Sequence, residues 1–407
     1  MFYALRDSLY DFWAPARRAA AAMIATPRDA LDGARGDFAH AARVGVEIFD
    51  RMTRRWEKPE FGLHETIIDG EPVGVVMEAI IERPFVTLLR FRRESARSDP
   101  RVLLLPPMSG HFATLTRGTI EALLPHHDVY VADWANARDV PTAEGGFDLD
   151  DYIDCVVDLL QAVGPGAHVM GICQAAVPAL AAVALISADA APFVPATLTL
   201  LAGPIDPREH PTAVNEFATS HTIDWFERVM IDRVPASHRG AGRLVYPGHV
   251  QLGAFMSMNL DRHVSSYFQF VEDLVGADEP SAEAHRVFYD EYLAVMDLTA
   301  EFYLQTVRSV FQDFDLARGQ MVSRGRAIEP AAISRTALMT VEGGRDDITG
   351  RGQTEAAQAL CSGLRPELRR HHVQPDVGHF GVFSGRHWRN EIMPQVADFV
   401  RAFDRAD

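Results

Sequence analysis

Three side chains have the type and the surroundings that acyl-transfer chemistry needs: Cys173, Asp346 and His379. Cys173 lies in His168-Val-Met-Gly171-Ile-Cys-Gln174-Ala175-Ala-Val-Pro178, where an apolar, strand-like approach breaks at a glycine and resumes as an alanine-rich helix. A small residue two positions before a nucleophile lets a strand turn sharply onto a helix, which lifts one side chain above the C-terminal edge of a sheet. The second glycine usual in that pattern is here Ala175, small enough for the turn but a departure from the motif. Taken alone, Gly-x-Cys-x-Ala says little, because cysteines are more often small buried hydrophobes than nucleophiles. Asp346 stands in Glu342-Gly343-Gly344-Arg345-Asp346-Asp347-Ile348, and His379 in Asp376-Val377-Gly378-His379-Phe380-Gly381, each just beyond a strand-like run.

Nucleophile, acid and histidine follow one another in the order of the α/β-hydrolase fold, and the strand ends of such a sheet share one edge, so residues distant in sequence can meet there. In that arrangement His379 takes the thiol proton, or holds the thiolate as an ion pair, and later protonates the leaving alkoxide. Asp346 orients the imidazole. The helix N-terminus beneath Cys173 adds positive potential that favours the thiolate, the reactive form. The backbone N–H of Gln174 faces the place where an oxyanion forms, and a second donor is expected from Pro106-Pro107-Met108-Ser109-Gly110-His111-Phe112, at Met108 or at Ser109. Asp347 is the rival of Asp346, with the Gly343-x-x-Asp346 spacing favouring the earlier residue. His111 reads equally well as a substrate contact or a loop histidine, whereas His371, His372, Cys155 and Cys361 read as structural.

The elements that must position these groups follow from periodicity. Residues 1 to about 55 carry apolar positions at helical spacing, led by Phe2, Leu5, Leu9, Phe12 and Trp13, and such a face more often packs on its own domain than on a foreign surface. Phe61 to Arg93 reads as a hairpin turning at Asp69-Gly70, followed by another strand. Strands at 101–105, 128–134 and the run into Cys173 alternate with helices at 148–163 and 175–188, which indicates a largely parallel sheet covered on both faces. A further strand at 197–201 stops at Gly203-Pro204. From about 208 to 320 the pattern is helical, without a convincing strand repeat, and strands return at 336–341 and 371–373 before a final helix at about 390–403. The expected organisation is therefore an N-terminal helical segment and hairpin extension joining the core sheet (1–96), a first core part (97–207), an inserted helical lid (208–330) and a second core part (331–407).

The 407 residues, 47% of them hydrophobic, can bury a large core. A formal charge of −17 argues against nucleic acid as a partner, since phosphate binders concentrate positive charge. Three cysteines without metal-like spacing suit a reducing cytoplasm, and no metal site is expected. The apolar run at 19–25 is too short to span a membrane and is preceded by Asp7 and Asp11, so it reads as a helix and not as a signal peptide.

The chain resembles the intracellular poly(3-hydroxybutyrate) depolymerases, cysteine-nucleophile α/β-hydrolases related to the polyhydroxyalkanoate synthases. The resemblance is carried by Pro106-Pro-Met-Ser-Gly110, Asp133-Trp-Ala-Asn-Ala-Arg138-Asp-Val-Pro141, Gly171-Ile-Cys-Gln174, Tyr246-Pro-Gly248, Phe255-Met-Ser-Met-Asn-Leu-Asp-Arg-His263, Phe288-Tyr-Asp-Glu-Tyr-Leu-Ala-Val-Met-Asp297, Glu342-Gly-Gly-Arg-Asp-Asp-Ile348 and Gly378-His-Phe-Gly381. It implies cleavage of the amorphous polyester of storage granules to 3-hydroxybutyrate oligomers or monomer, in the cytoplasm and at the granule surface. The expected partners are that surface and its polymer chain, with a second copy of the protein as an option, and neither nucleic acid nor a membrane span. Substrate contacts are expected at His111, Trp134, Phe255, Met256 and Phe380, an apolar lid groove suiting an uncharged polymer. No cofactor is required. A thioester acyl-enzyme exchanges readily with thiols, however, so coenzyme A is an expected alternative acyl acceptor. Two other readings compete: a polymer synthase, against which stand Ala175 and Asp347 where synthases typically carry a glycine and a histidine, and a non-catalytic granule-coating protein, against which stands the complete set of three reactive groups.

Overall fold

Asp69 and Gly70 both adopt positive φ, 54° and 87°, which is what a two-residue hairpin turn between right-twisted strands demands. They join β1 (Glu65–Ile68) to β2 (Glu71–Arg83), and β2 pairs antiparallel with β3 (Val86–Arg93). The computed structural model describes residues 2–25, 36–258 and 260–404. The expected N-terminal helical segment is two helices, α1 (Phe2–Ala25) and α2 (Gly36–Thr53); residues 26–35, and Asn259 of the motif around Phe255, lie outside the described residues.

The core strands are β4 (Arg101–Leu105), β5 (Asp128–Trp134), β6 (His168–Ile172) and β7 (Thr197–Leu201). They are linked by α3 (Arg117–Leu123), α4 (Leu149–Val163) and α5 (Ala176–Ala188). Asp148 caps α4 by accepting the Asp151 N–H, while the Asp151 carboxylate accepts the Asp148 N–H. In α5, Ala176 through Ile186 are all buried, as an apolar helix with no polar face must be.

Between β7 and the last two core strands the chain forms helices at Ala213–Ser220, Ile223–Met230, Gly248–Met258, Leu260–Val275, Glu279–Tyr292 and Ala300–Thr306. It also forms strands that the sequence pattern did not reveal. β8 (Asp232–Arg233), β9 (Leu244–Tyr246) and β10 (Leu298–Thr299) make a small antiparallel sheet, and β11 (Val322–Ser323) pairs with β12 (Arg326–Ala327). Strands of two or three residues are too short to display an alternating period. β13 (Ala337–Gly343) and β14 (Arg369–Gln374) then complete the main sheet, and the final helix is Met393–Phe403.

The nine strands lie in the order β1-β2-β3-β5-β4-β6-β7-β13-β14, antiparallel up to the β3–β5 pair and parallel from β5 to β14. This is an α/β-hydrolase core. From β4 the chain runs to β5 on one side and then returns to β6 on the other, so the C-terminal ends of β4 and β6 flank the reversal in strand order. Sheets of this kind place ligands at that crevice. No helix among the described residues is long and apolar enough to cross a membrane.

Candidate active site

Cys173 is the first residue beyond β6 and has φ 53°, a left-handed conformation that a non-glycine residue holds only where its surroundings enforce it, at a cost of about 1–3 kcal/mol. A tight turn, Cys173–Ala175, leads directly into α5. Gly171 is needed for the corner, since a Cβ there would lie 3.1 Å from both the Ala175 carbonyl oxygen and the Ala179 methyl. Ala175, the departure from the motif, is fully buried. Room at the start of the helix comes from Gly203, beyond β7: a Cβ on Gly203 would fall 2.1 Å from the Ala176 methyl and 3.0 Å from the Cys173 carbonyl oxygen. Gly203→Ala is therefore expected to lower the unfolding free energy by about 1–3 kcal/mol, read by denaturant titration, because the added methyl must displace the elbow.

Asp346 and His379 are brought to Cys173 by two loops that are bonded to each other. Gly344 N–H donates to the Gln374 carbonyl at 2.8 Å and Arg345 N–H to the Val377 carbonyl at 3.0 Å. The approach is so close that a Cβ on Gly344 would sit 2.2 Å from the Pro375 oxygen. The Asp346 carboxylate is wholly buried; its Oδ1 accepts the N–H groups of Ile348 (2.9 Å) and Thr349 (2.8 Å), and its Oδ2 faces His379 Nδ1 at 2.9 Å. The Cys173 sulfur acts on the same imidazole. Burial works against the imidazolium, but the charges of Cys173 and Asp346 and the hydrogen bond to Asp346 outweigh it and hold His379 well above its ordinary pKa. Asp347 lies on the exposed side of the same turn, while Asp346 bonds the imidazole.

The loop after β4 is pinned from three sides. Trp134 Nε1 and the Tyr152 hydroxyl both donate to the Pro106 carbonyl, at 3.0 and 3.3 Å, and Met296 N–H donates to the Gly110 carbonyl at 2.6 Å. His111 is buried, its Nε2 3.1 Å from the Tyr292 carbonyl; burial lowers its pKa to about 4, so it is neutral. Met108 N–H is engaged by the Gln174 side chain, Oε1 accepting at 3.3 Å.

Cys173 and His379 open onto a pocket of about 170 Å³, whose wall includes Met108, Ser109, His111, Gln174, Phe255 and Phe380. Two expected substrate contacts are elsewhere. Trp134 is a fully buried core residue, its ring packed on Tyr152 at 4.3 Å, because β5 directs it beneath the loop after β4 and not into the pocket. Met256 packs with the cluster of Leu252, Tyr289 and Tyr292, since its neighbour Phe255 takes the inward-facing position of that helix turn. Phe255, Ile348, His379 and Phe380 are shared with a second, more polar hollow that Arg262, His263 and Asp347 border. Sequence reasoning missed Gln251, Phe302, Tyr303 and Thr306, which also line the first pocket. Their only signal was membership of a segment already taken for a lid.

Residues 202–404 match the family model described as PHB de-polymerase C-terminus. No curated protein matches the sequence. Among solved structures, the monoacylglycerol lipase of Paleococcus ferrophilus is 10% identical, with a TM-score of 0.45 over 78% of this chain and 99% of that one. The thermophilic esterase of Thermogutta terrifontis is 12% identical, with a TM-score of 0.43 over 84% of this chain and 98% of that one. An α/β hydrolase from a Penicillium species is 13% identical, with a TM-score of 0.45 over 82% and 99%. By the family matched over its C-terminal half, and with the α/β-hydrolase sheet already described, the chain belongs to the PHB depolymerase family and is a carboxylic ester hydrolase.

Proposed function

We propose that the chain cleaves the esters of a poly(3-hydroxybutyrate)-type storage polyester through a thioester on Cys173. The observation that carries this reading is the convergence of Cys173 with the Asp346-bonded His379 on one largely apolar pocket in a chain of this family. The Cys173 sulfur adds to the ester carbonyl carbon, the backbone N–H of Gln174 faces the oxyanion, and the C–O bond breaks as His379 gives its proton to the departing alkoxide. Neutral His379 then takes a proton from water, whose oxygen displaces the sulfur and releases the acid. Asp346, anchored by two backbone N–H groups, keeps Nδ1 occupied so that the other ring nitrogen faces the sulfur.

The apolar pocket favours an uncharged chain, and the reading places the enzyme on the granule surface in the cytoplasm. Mass spectrometry of the products from native amorphous granules tests it. Free 3-hydroxybutyrate and its oligomers are expected, absent with Cys173→Ala. Addition of coenzyme A separates two fates of the thioester: hydroxybutyryl-coenzyme A above the no-enzyme control makes thiolysis a second route, and its absence restricts the acceptor to water. Release of coenzyme A and polymer growth from hydroxybutyryl-coenzyme A, without ester cleavage, would replace this reading with a synthase.

A further inference from the structure

In a pocket walled mainly by apolar side chains, two carboxamides stand out, Gln174 and Gln251. Both are more than nine-tenths buried, with 8% and 6% of their surface exposed. Gln174 Oε1 takes the Met108 N–H, but among the described residues its Nε2 has no hydrogen-bond partner, and neither has Gln251 Oε1. They flank one loop. Gln174 is bonded at Met108, and the Gln251 amide lies on Gly110, where a Cβ would fall 2.4 Å from the carboxamide carbon. Gly110, at φ 102°, thus leaves the space that the amide fills.

A buried polar atom without a partner costs free energy that apolar side chains in its place would avoid, so such atoms in a native pocket call for an explanation. A ligand that satisfies them must bring oxygen beyond its scissile carbonyl, since that oxygen faces the backbone N–H of Gln174 in the proposed route. A plain acyl chain brings none. A 3-oxyacyl ester carries one on its third carbon, two carbons from the atom that Cys173 attacks: a hydroxyl at the chain end, an ester oxygen within a polymer. The hydroxyl can donate to Gln251 Oε1 and accept from Gln174 Nε2, whereas the ester oxygen only accepts and so is served by a carboxamide NH₂.

Building on the reading of Cys173 as an ester-cleaving nucleophile, we propose that the Gln174 and Gln251 carboxamides bind the oxygen on C3 of the acyl group. They make the enzyme select 3-oxyacyl esters over plain acyl esters of equal length. A site whose buried polar groups lose their partners rejects the deficient analogue strongly, by up to about 10⁴-fold when fully developed.

The test compares kcat/KM for p-nitrophenyl 3-hydroxybutyrate and p-nitrophenyl butyrate. Wild type is expected to prefer the hydroxylated ester by at least about 10-fold, and Gln251→Leu to bring that ratio down by about 10-fold or more, since leucine fills the volume without a polar atom. Gln174→Leu is the second variant and is expected to compress the ratio in the same direction. Thermal unfolding and iodoacetamide labelling of Cys173 identify folded variants. A wild-type ratio near one, or an equal fall on both esters in the folded variants, overturns the assignment. Wild-type enzyme that turns over neither ester defeats the hydrolase reading itself, and this inference with it.

Discussion

Cys173→Ala is expected to reduce ester cleavage by at least about 10⁴-fold while leaving the fold intact. The sulfur forms the covalent bond in the proposed route, and no other cysteine can replace it. Burial raises the thiols of Cys155 and Cys361 to about 12, so both remain protonated and unreactive near neutrality. The substitution removes one atom and keeps a Cβ at φ 53°, so the elbow is not rebuilt. Rapid-quench intact-mass measurement supplies the positive half of the test. Wild type should carry one acyl adduct during turnover, mapped to the peptide containing Cys173, and the variant none. Near-wild-type cleavage by the folded variant would falsify the thioester route.

Asp346→Asn is expected to lower kcat by about 10³–10⁴-fold and to move the alkaline limb of the pH–rate profile downward. The carboxylate accepts three hydrogen bonds, two from backbone N–H groups and one from His379. An amide there must turn an NH₂ toward at least one of those donors. The pH shift follows from charge. His379 is held well above its ordinary pKa against the pull of burial, with Cys173 and Asp346 supplying the opposing charge. On the proposed route its protonated form is the acid for the leaving alkoxide, so acylation is expected to persist into alkaline solution and to fail as pH rises through that raised value. The same linkage acts on stability: the contribution of the charged pair is complete below the unfolded histidine value near 6.5 and is lost as pH climbs through the folded one. Neutralising one of the two anions narrows this window. An unchanged alkaline limb in Asp346→Asn would show that the carboxylate does not set the histidine's charge. Asp347→Asn, by contrast, removes a charge on the exposed side of the turn and should cost much less.

Much of this arrangement was legible in the sequence because the parallel core writes itself in short apolar runs closed by glycine or proline. The corner at Cys173 shows as Gly171 followed by an alanine run, and the strands before Asp346 and His379 end in glycine-rich turns. What could not be read was the space that one segment yields to another. The elbow depends on Gly203, some thirty positions on in a different strand exit, which leaves room for the Ala176 methyl and the Cys173 carbonyl. Trp134 was expected as a substrate contact, yet it closes β5 and its indole N–H is spent on the Pro106 carbonyl beneath the loop. Gln251 gave no signal, since its meaning lies in missing partners, which only three-dimensional packing reveals.

The order of the strands also sets when the proposed nucleophile meets its base. β6 and the elbow lie in the first half of the chain, whereas His379 emerges only after the long helical segment and β14. Closing so long an excursion costs little at equilibrium, because loop entropy grows only logarithmically, but during synthesis it imposes a delay. A nascent chain holding Cys173 on a partly assembled sheet has no imidazole to take its proton and no pocket roof. On the proposed route the thiol gains its base last, when β13 and β14 dock beside β7.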